Sequence, residues 1–330
     1  MRPLFSSARL VRDNLFILGI LAAVAAAFLF PQWGKRLNPS SLTTSLIVAV
    51  IFFNSGLSLR SESIVSGLKD LRLHLYIQSF IFLLIPLFFL LTSLALKRVL
   101  AKEFIIAFFA LSCLPTTISS SIVMTQRSGG NVAGTMFNSM IANLLGIFLS
   151  PLLLSLLLFG SGDLPSSTHI LRTLRNLALT MLVPVVFGQL ARFFAGNRVE
   201  GYAGRTSKIN SFFVLLLVFF AIAQALNPPA GGGQLLRLGP PLLFLALSHL
   251  LLLGLAYGGA WSLGFSRPDR ISALYAGPQK TIAMGIPLLT TYFAQAPALL
   301  AAALPPLLFY HAWQLLVASV ISSLIPAKKV

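Results

Sequence analysis

Long apolar runs separated by short basic loops dominate the chain. "LFILGILAAVAAAFLF" and "SFFVLLLVFFAIAQAL" approach or reach the length of about 20 apolar residues that crosses a bilayer as a helix. Barrel strands would be short and strictly alternating, which these runs are not. The pattern predicts an all-α polytopic membrane protein with ten transmembrane helices, over 14–31, 40–58, 73–96, 103–126, 131–159, 170–194, 208–226, 239–263, 271–293 and 298–325. "AAVAAA" after Arg9 and Arg12 superficially resembles a signal peptide, but the apolar run continues to Phe30 and reads as a retained first helix. The fourth span is interrupted by "SCLPTTISSS" and the ninth by "AGPQKT", with breaks at Pro115, Gly277 and Pro278. A long helix then closes each half. A five-helix unit repeated once is inverted in the membrane, and paired broken helices point to a transporter site near the midplane. The repeats would cover about 14–159 and 170–325 of one membrane domain, 1–330. The plainer alternative is that the two prolines only kink their helices.

Composition sharpens this picture. The chain is 57% hydrophobic and 9% charged, with a mean hydropathy of +0.89, outside the range of soluble domains. A net charge of +17 raises nucleic acid as a partner, but the 24 Lys and Arg are scattered through short loops rather than gathered on one face. With both termini cytoplasmic, 15 of them fall on the cytoplasmic side and 8 on the other, the bias that orients membrane helices. The partners this implies are the lipid bilayer and a small solute, with no nucleic acid. The short loops point to a bacterial inner membrane. Cys113 is the only cysteine, so no intramolecular disulfide forms.

Few chemical groups are left for the membrane interior. All seven acids, Asp13, Glu62, Asp70, Glu103, Asp163, Glu200 and Asp269, fall in loops or at span ends. That argues against paired-acid catalysis and a carboxylate proton relay. His74, His169, His249 and His311 are isolated, without metal-ligand spacing. No Walker-type glycine loop is present, and Gly129 with Gly130 reads as a tight turn before the fifth helix. No nucleophile, base and acid constellation marks an enzyme.

Lys280 is the exception. It lies ten residues past Arg270, so about 15 Å into a core about 30 Å thick. Either it snorkels or caps carbonyls at the helix break, or it marks an ion or substrate path, with its ammonium where a sodium ion would sit or exchanging a proton. Facing it, Ser119, Ser120 and Ser121 follow Pro115. Thr135 and Ser139 lie one turn apart on the fifth helix, with Asn131 and Asn138 on a neighbouring stripe. These oxygens suit sodium or a polar solute, and helix-packing glue is the competing reading. Gln78, ahead of Pro86, and Tyr275 are further candidates, whereas His249 and His311 read as packing residues.

"IFFNSGLSLR", "SSSIVMTQRSGGNVAGTMFNSMIANLLGIFLSPLLL" and "GPQKTIAMGIPLL" carry a resemblance to the bile acid:sodium symporter superfamily, solute carrier family 10-like, in its orphan branch of sodium-dependent transporters. The resemblance covers nearly the whole chain. It implies a panel domain of helices 1, 2, 6 and 7 and a core domain of helices 3 to 5 and 8 to 10, with the broken fourth and ninth helices crossing. It implies sodium sites behind that crossing, solute in the cleft between core and panel, and alternating access by motion of the core. Ser121, Thr135 and Ser139 match family sodium-site hydroxyls, Gly277 and Gln279 are kept, and Gln78 aligns with a family glutamine. Ile122 stands for a family asparagine, Tyr275 for a glutamate and Lys280 for another asparagine, so the site has lost a carboxylate and gained a cation. The reading that follows is a secondary transporter of an organic anion or other polar organic solute, coupled to Na+ or H+ or independent of sodium. The rival is a non-transporting regulator or scaffold with a degenerate site.

Overall fold

The computed structural model describes residues 7–58, 70–96, 98–159, 175–176, 178–196, 203–225, 239–294 and 296–325. Among them all regular structure is helical. Large apolar side chains such as Leu21, Phe28, Leu83, Leu156, Phe187 and Leu247 are exposed along the helices. A surface of that kind is stable only against lipid.

Two compact units account for the chain, Met1–Ser58 with Pro184–Ala230 and Leu59–Val183 with Gly231–Val330. In the first, α1 (Ser7–Leu29) turns at Phe30 into the short α2 (Pro31–Leu37), a bend of 96°. Pro31, lacking an N–H, can open a helix but not continue one. After a 3-10 turn at Pro39–Ser41 come α3 (Leu42–Ser58), α9 (Val183–Ala195, Pro184 onward in this unit) and α10 (Ala203–Ala225). α3 and α9 approach backbone to backbone. A Cβ at Gly56 would lie 2.2 Å from Val185 O, and one at Gly188 2.2 Å from Phe53 O. Close approach of small residues is how membrane helices gain contact without a hydrophobic driving force. The C-terminal carbonyls of α3, Gly56 O and Leu57 O, accept from Gln189 Nε2 and Arg192 Nη1 of α9.

The second unit contains α4 (Leu71–Ser79), a π turn (Phe80–Leu84), α5 (Ile85–Leu96), α6 (Lys102–Ser112), α7 (Ser119–Arg127) and α8 (Val132–Phe159). It is completed by a π turn (Ala178–Leu182), α11 (Gly239–Ser262), α12 (Arg267–Ala276), α13 (Ile282–Tyr292) and α14 (Pro297–Leu324). Asp70 caps α4 by accepting from Leu73 N, and Ser266 caps α12 by accepting from Asp269 N. Gly129 has φ 67°, which a tight turn before α8 requires.

The ten predicted spans, with the fourth and ninth interrupted, are met in part among the described residues. Six described helices are long and apolar enough to cross a membrane, or seven when the bent α1 and α2 pair counts as one. The fourth and ninth predicted spans are in pieces of at most 11 residues, α6 with α7 and α12 with α13. At 1.5 Å per residue such a piece reaches about 16 Å, half of the hydrocarbon core. The first span begins at Ser7 rather than 14, because helical hydrogen bonding does not stop where apolarity does. Much of the basic-loop pattern that predicts orientation, Arg60, Lys69, Arg172, Arg198, Arg237, Lys328 and Lys329, lies outside the described residues, as do Glu62, Asp163, His169 and Glu200.

Candidate functional site

Both helix breaks lie in the second unit, and they meet. Pro115 has no N–H to extend α6, and the chain stays non-helical from Cys113 to Ile118 before α7 begins at Ser119. α12 likewise ends at Ala276, and Gly277 to Thr281 cross to α13. Thr281 N donates to Pro115 O at 3.0 Å, joining one break to the other. Two glycines admit the contact: a Cβ at Gly146 would lie 2.8 Å from Pro115 Cγ, and one at Gly285 2.6 Å from Leu114 Cδ1.

Lys280 sits at this junction with 1% of its surface exposed, which overturns the snorkelling reading. Its Nζ donates to Ser112 O at 2.8 Å and Leu114 O at 2.7 Å, and reaches Ile81 O at 3.5 Å. Each carbonyl is free for a reason visible in the chain. Ser112 and Leu114 are at the interrupted end of α6, the negative end of its dipole. Ile81 belongs to the π turn, where Ile85 N donates to Phe80 O in the i→i+5 register. In that register the donor to Ile81 O would be residue 86, which is proline. An ammonium has three N–H bonds, and here three carbonyls meet it. The ammonium thus caps carbonyls that the helix break and the π turn leave free.

The hydroxyl candidates form a zipper between α7, α8 and α12. Gln279 Oε1 accepts from Thr117, Ser120 and Ser121, at 2.9 Å from Ser121 Oγ, which also lies 3.0 Å from Tyr275 O. One turn on, Thr125 Oγ1 is 3.0 Å from Thr135 Oγ1, which donates to Ser272 Oγ at 2.8 Å. After a further turn Ser128 Oγ meets Tyr275 OH at 2.9 Å. Ser121 and Thr135 are thus neighbours through Thr125 rather than direct partners. Ser139, one turn beyond Thr135, has a buried Oγ with no partner among the described residues, as do Thr116 Oγ1, Gln279 Nε2 and Gln78 Oε1. These neutral oxygens have the hard-ligand chemistry that suits sodium, but no carboxylate accompanies them at Tyr275. Among the described residues no cluster of three His, Cys, Asp or Glu could hold a metal ion.

Gln78 and Asn138 form a separate group. Gln78 Nε2 donates to Asn138 O at 3.0 Å and Asn138 Oδ1 at 3.1 Å, and Asn138 Nδ2 lies 2.9 Å from His74 Nδ1. His74 thus has an amide neighbour rather than a second metal ligand. Asn131 joins the start of α8 to α12 through Asp269 Oδ1 at 2.8 Å. His249 packs edge-on against Tyr310, with ring centroids 5.1 Å apart, and His311 Nδ1 lies 3.0 Å from Gln314 Nε2. Sequence reasoning missed Thr117, Thr125, Ser272 and Gln314. Thr125 carried a signal, one turn from Ser121 on the same helix face. Gln314 carried a weaker one, a lone amide in an otherwise apolar stretch.

Comparison with known proteins identifies a family of transporters. Residues 14–326 match the model of the SBF-like CPA transporter family. The chain is 31% identical over 319 residues to sodium/bile acid cotransporter 7 of Danio rerio, covering 94% of this chain and 93% of the relative. It is 30% identical over 318 residues to the protein of that name in Xenopus tropicalis, covering 94% and 91%. An uncharacterized protein of Pseudomonas aeruginosa is 31% identical over 325 residues, covering 96% and 94%.

Proposed function

The chain belongs to the SBF-like CPA transporter family, and from that premise we propose that it is a secondary active transporter of an organic anion or other polar organic solute, working by alternating access with Lys280 as a tethered cation in place of one coupling sodium. One observation carries the reading. The Lys280 ammonium rests on carbonyls freed by the fourth-helix break and the π turn, where the negative end of α6 attracts a cation.

Two further features support it. Tyr275, at the position where the resemblance implies a glutamate, is buried and spends its hydroxyl on Ser128. The first compact unit takes helices 1, 2 and 7 and helix 6 from Pro184 onward, while helix 6 up to Val183 falls with helices 3 to 5 and 8 to 10, a division close to the panel and core that the resemblance implies. On this reading the chain is one transporter domain of two inverted five-helix repeats, 14–159 and 170–325. Both termini are cytoplasmic in a bacterial inner membrane, and Ser121, Thr135 and Ser139 form a weakened ion site.

The test compares wild type with Lys280→Asn. Purified protein is melted in detergent across sodium and potassium at constant ionic strength, and solute flux is followed in vesicles with and without a sodium gradient. Ligand that binds only the folded state raises stability by mass action. The expected outcome is a wild type indifferent to sodium and a variant that sodium stabilises. Tight sodium coupling of transport by the wild type would sink the proposal.

A further inference from the structure

The last helix supplies the partners that the ninth-helix break lacks. Tyr310 and Gln314 lie one turn apart on α14, so they share a face. Tyr310 OH donates to Pro278 O at 2.8 Å. Gln314 Oε1 accepts from Lys280 N at 2.8 Å, and Gln314 Nε2 donates to Lys280 O at 2.7 Å. The side-chain amide thus pairs with the N–H and C=O of one residue, as the edge of a neighbouring strand would. Gln314 is 0% exposed, so neither backbone group of Lys280 has water as a substitute.

The first half carries a counterpart. Asn143, on the helix that closes that half, donates through Nδ2 to Thr116 O at 2.8 Å, in the fourth-helix break. In each half an amide from the closing helix thus holds a backbone carbonyl of the broken one.

Hydrogen bonds to the N–H and the C=O of one residue hold the two peptide units that flank its Cα, and with them the direction of the Cα–Cβ bond. A lysine side chain has four rotatable bonds and no preferred target of its own. Its ammonium reaches Ser112 O and Leu114 O because the backbone beneath it is held. We propose that Gln314 is the positioning residue that aims the Lys280 ammonium at the fourth-helix carbonyls. This rests on Lys280 as a tethered cation, yet it is tested without measuring transport.

The experiment uses full-length protein in detergent and reads acetylation of Lys280 by acetic anhydride, with alkylation of the single Cys113 by N-ethylmaleimide as the internal control. Cys113 is buried within the break that Lys280 contacts, so it reports general opening there. In Gln314→Met, which keeps the side-chain length and removes both bonds to Lys280 together with the contact to His311 Nδ1, Lys280 acetylates about tenfold faster than in wild type while Cys113 is unchanged. That factor corresponds to about 1.4 kcal/mol of lost hold. An unchanged Lys280 rate in folded Gln314→Met overturns the proposal, and so does a parallel rise at Lys280 and Cys113, which would mark loosened packing. Should the Met variant not fold, Gln314→Asn keeps the amide but draws it back by one methylene, so that neither bond to Lys280 is held at full strength. It is expected to label at an intermediate rate, and a wild-type rate there also overturns the proposal. If wild type proves sodium-coupled, the labelling contrast still decides the role of Gln314.

Discussion

Replacing Lys280 by methionine keeps most of the side-chain volume and removes the charge and all three N–H donors. Ser112 O and Leu114 O then lose the bonds of 2.8 and 2.7 Å that satisfy them. At about 1–3 kcal/mol for each buried polar group left without a partner, the direct cost is about 2–6 kcal/mol. Relief of the ammonium's own burial, a penalty of several kcal/mol per ion, offsets part of it. A net loss of about 2–4 kcal/mol is the expectation, read as a fall in Tm in detergent. A free monovalent cation that re-occupies the carbonyls restores stability by mass action, about 2.7 kcal/mol at one hundred times its Kd. The assay therefore titrates ammonium and sodium chloride against N-methylglucamine chloride at fixed ionic strength. Lys280→Met should gain stability with the small cations and wild type should not. A variant that melts at or above wild type, with no cation response, would refute the premise that these carbonyls depend on the ammonium.

Restoring the carboxylate that the resemblance implies, by Tyr275→Glu in the Lys280→Asn background, should give a larger sodium-dependent rise in Tm than Lys280→Asn alone, because an anion joins the neutral oxygens of Ser121, Thr135 and Ser139. Equal responses would remove position 275 from the ion site. In the first unit, Gly188→Val should lower Tm, since its Cβ would meet Phe53 O at 2.2 Å and overpacking costs about 1–3 kcal/mol. Gly254→Ala, with nothing within 4 Å of the added carbon, should change stability by less than about 0.5 kcal/mol, and the contrast between the two melts is the check.

Much of the site is legible in the chain because proline and charge act locally. Pro115 and Pro278 mark both breaks, and a lysine ten residues inside a span is conspicuous whatever surrounds it. Other parts depend on a partner far away in sequence. Pro86 meant little beside Gln78 until the π turn put Ile81 O in a register whose donor would be that proline. His74 looked solitary because its partner Asn138 is 64 residues away. Gln314 looked like an incidental polar residue until its amide proved to pair with the backbone of Lys280, 34 residues earlier.

Apolar length and the period of the runs by themselves determined an all-helical membrane protein, since in lipid a chain must satisfy its backbone within each helix or in a closed barrel. Breaks in that pattern located where the backbone would be left unsatisfied. Which groups would satisfy it was decided only by tertiary structure. Thr281 N on Pro115 O, Lys280 Nζ on Ser112 O and Leu114 O, and Gln314 on Lys280 all join residues distant in sequence. A broken helix exposes donors and acceptors at known positions, but their partners come from whichever helix packs alongside, and no local pattern encodes that choice.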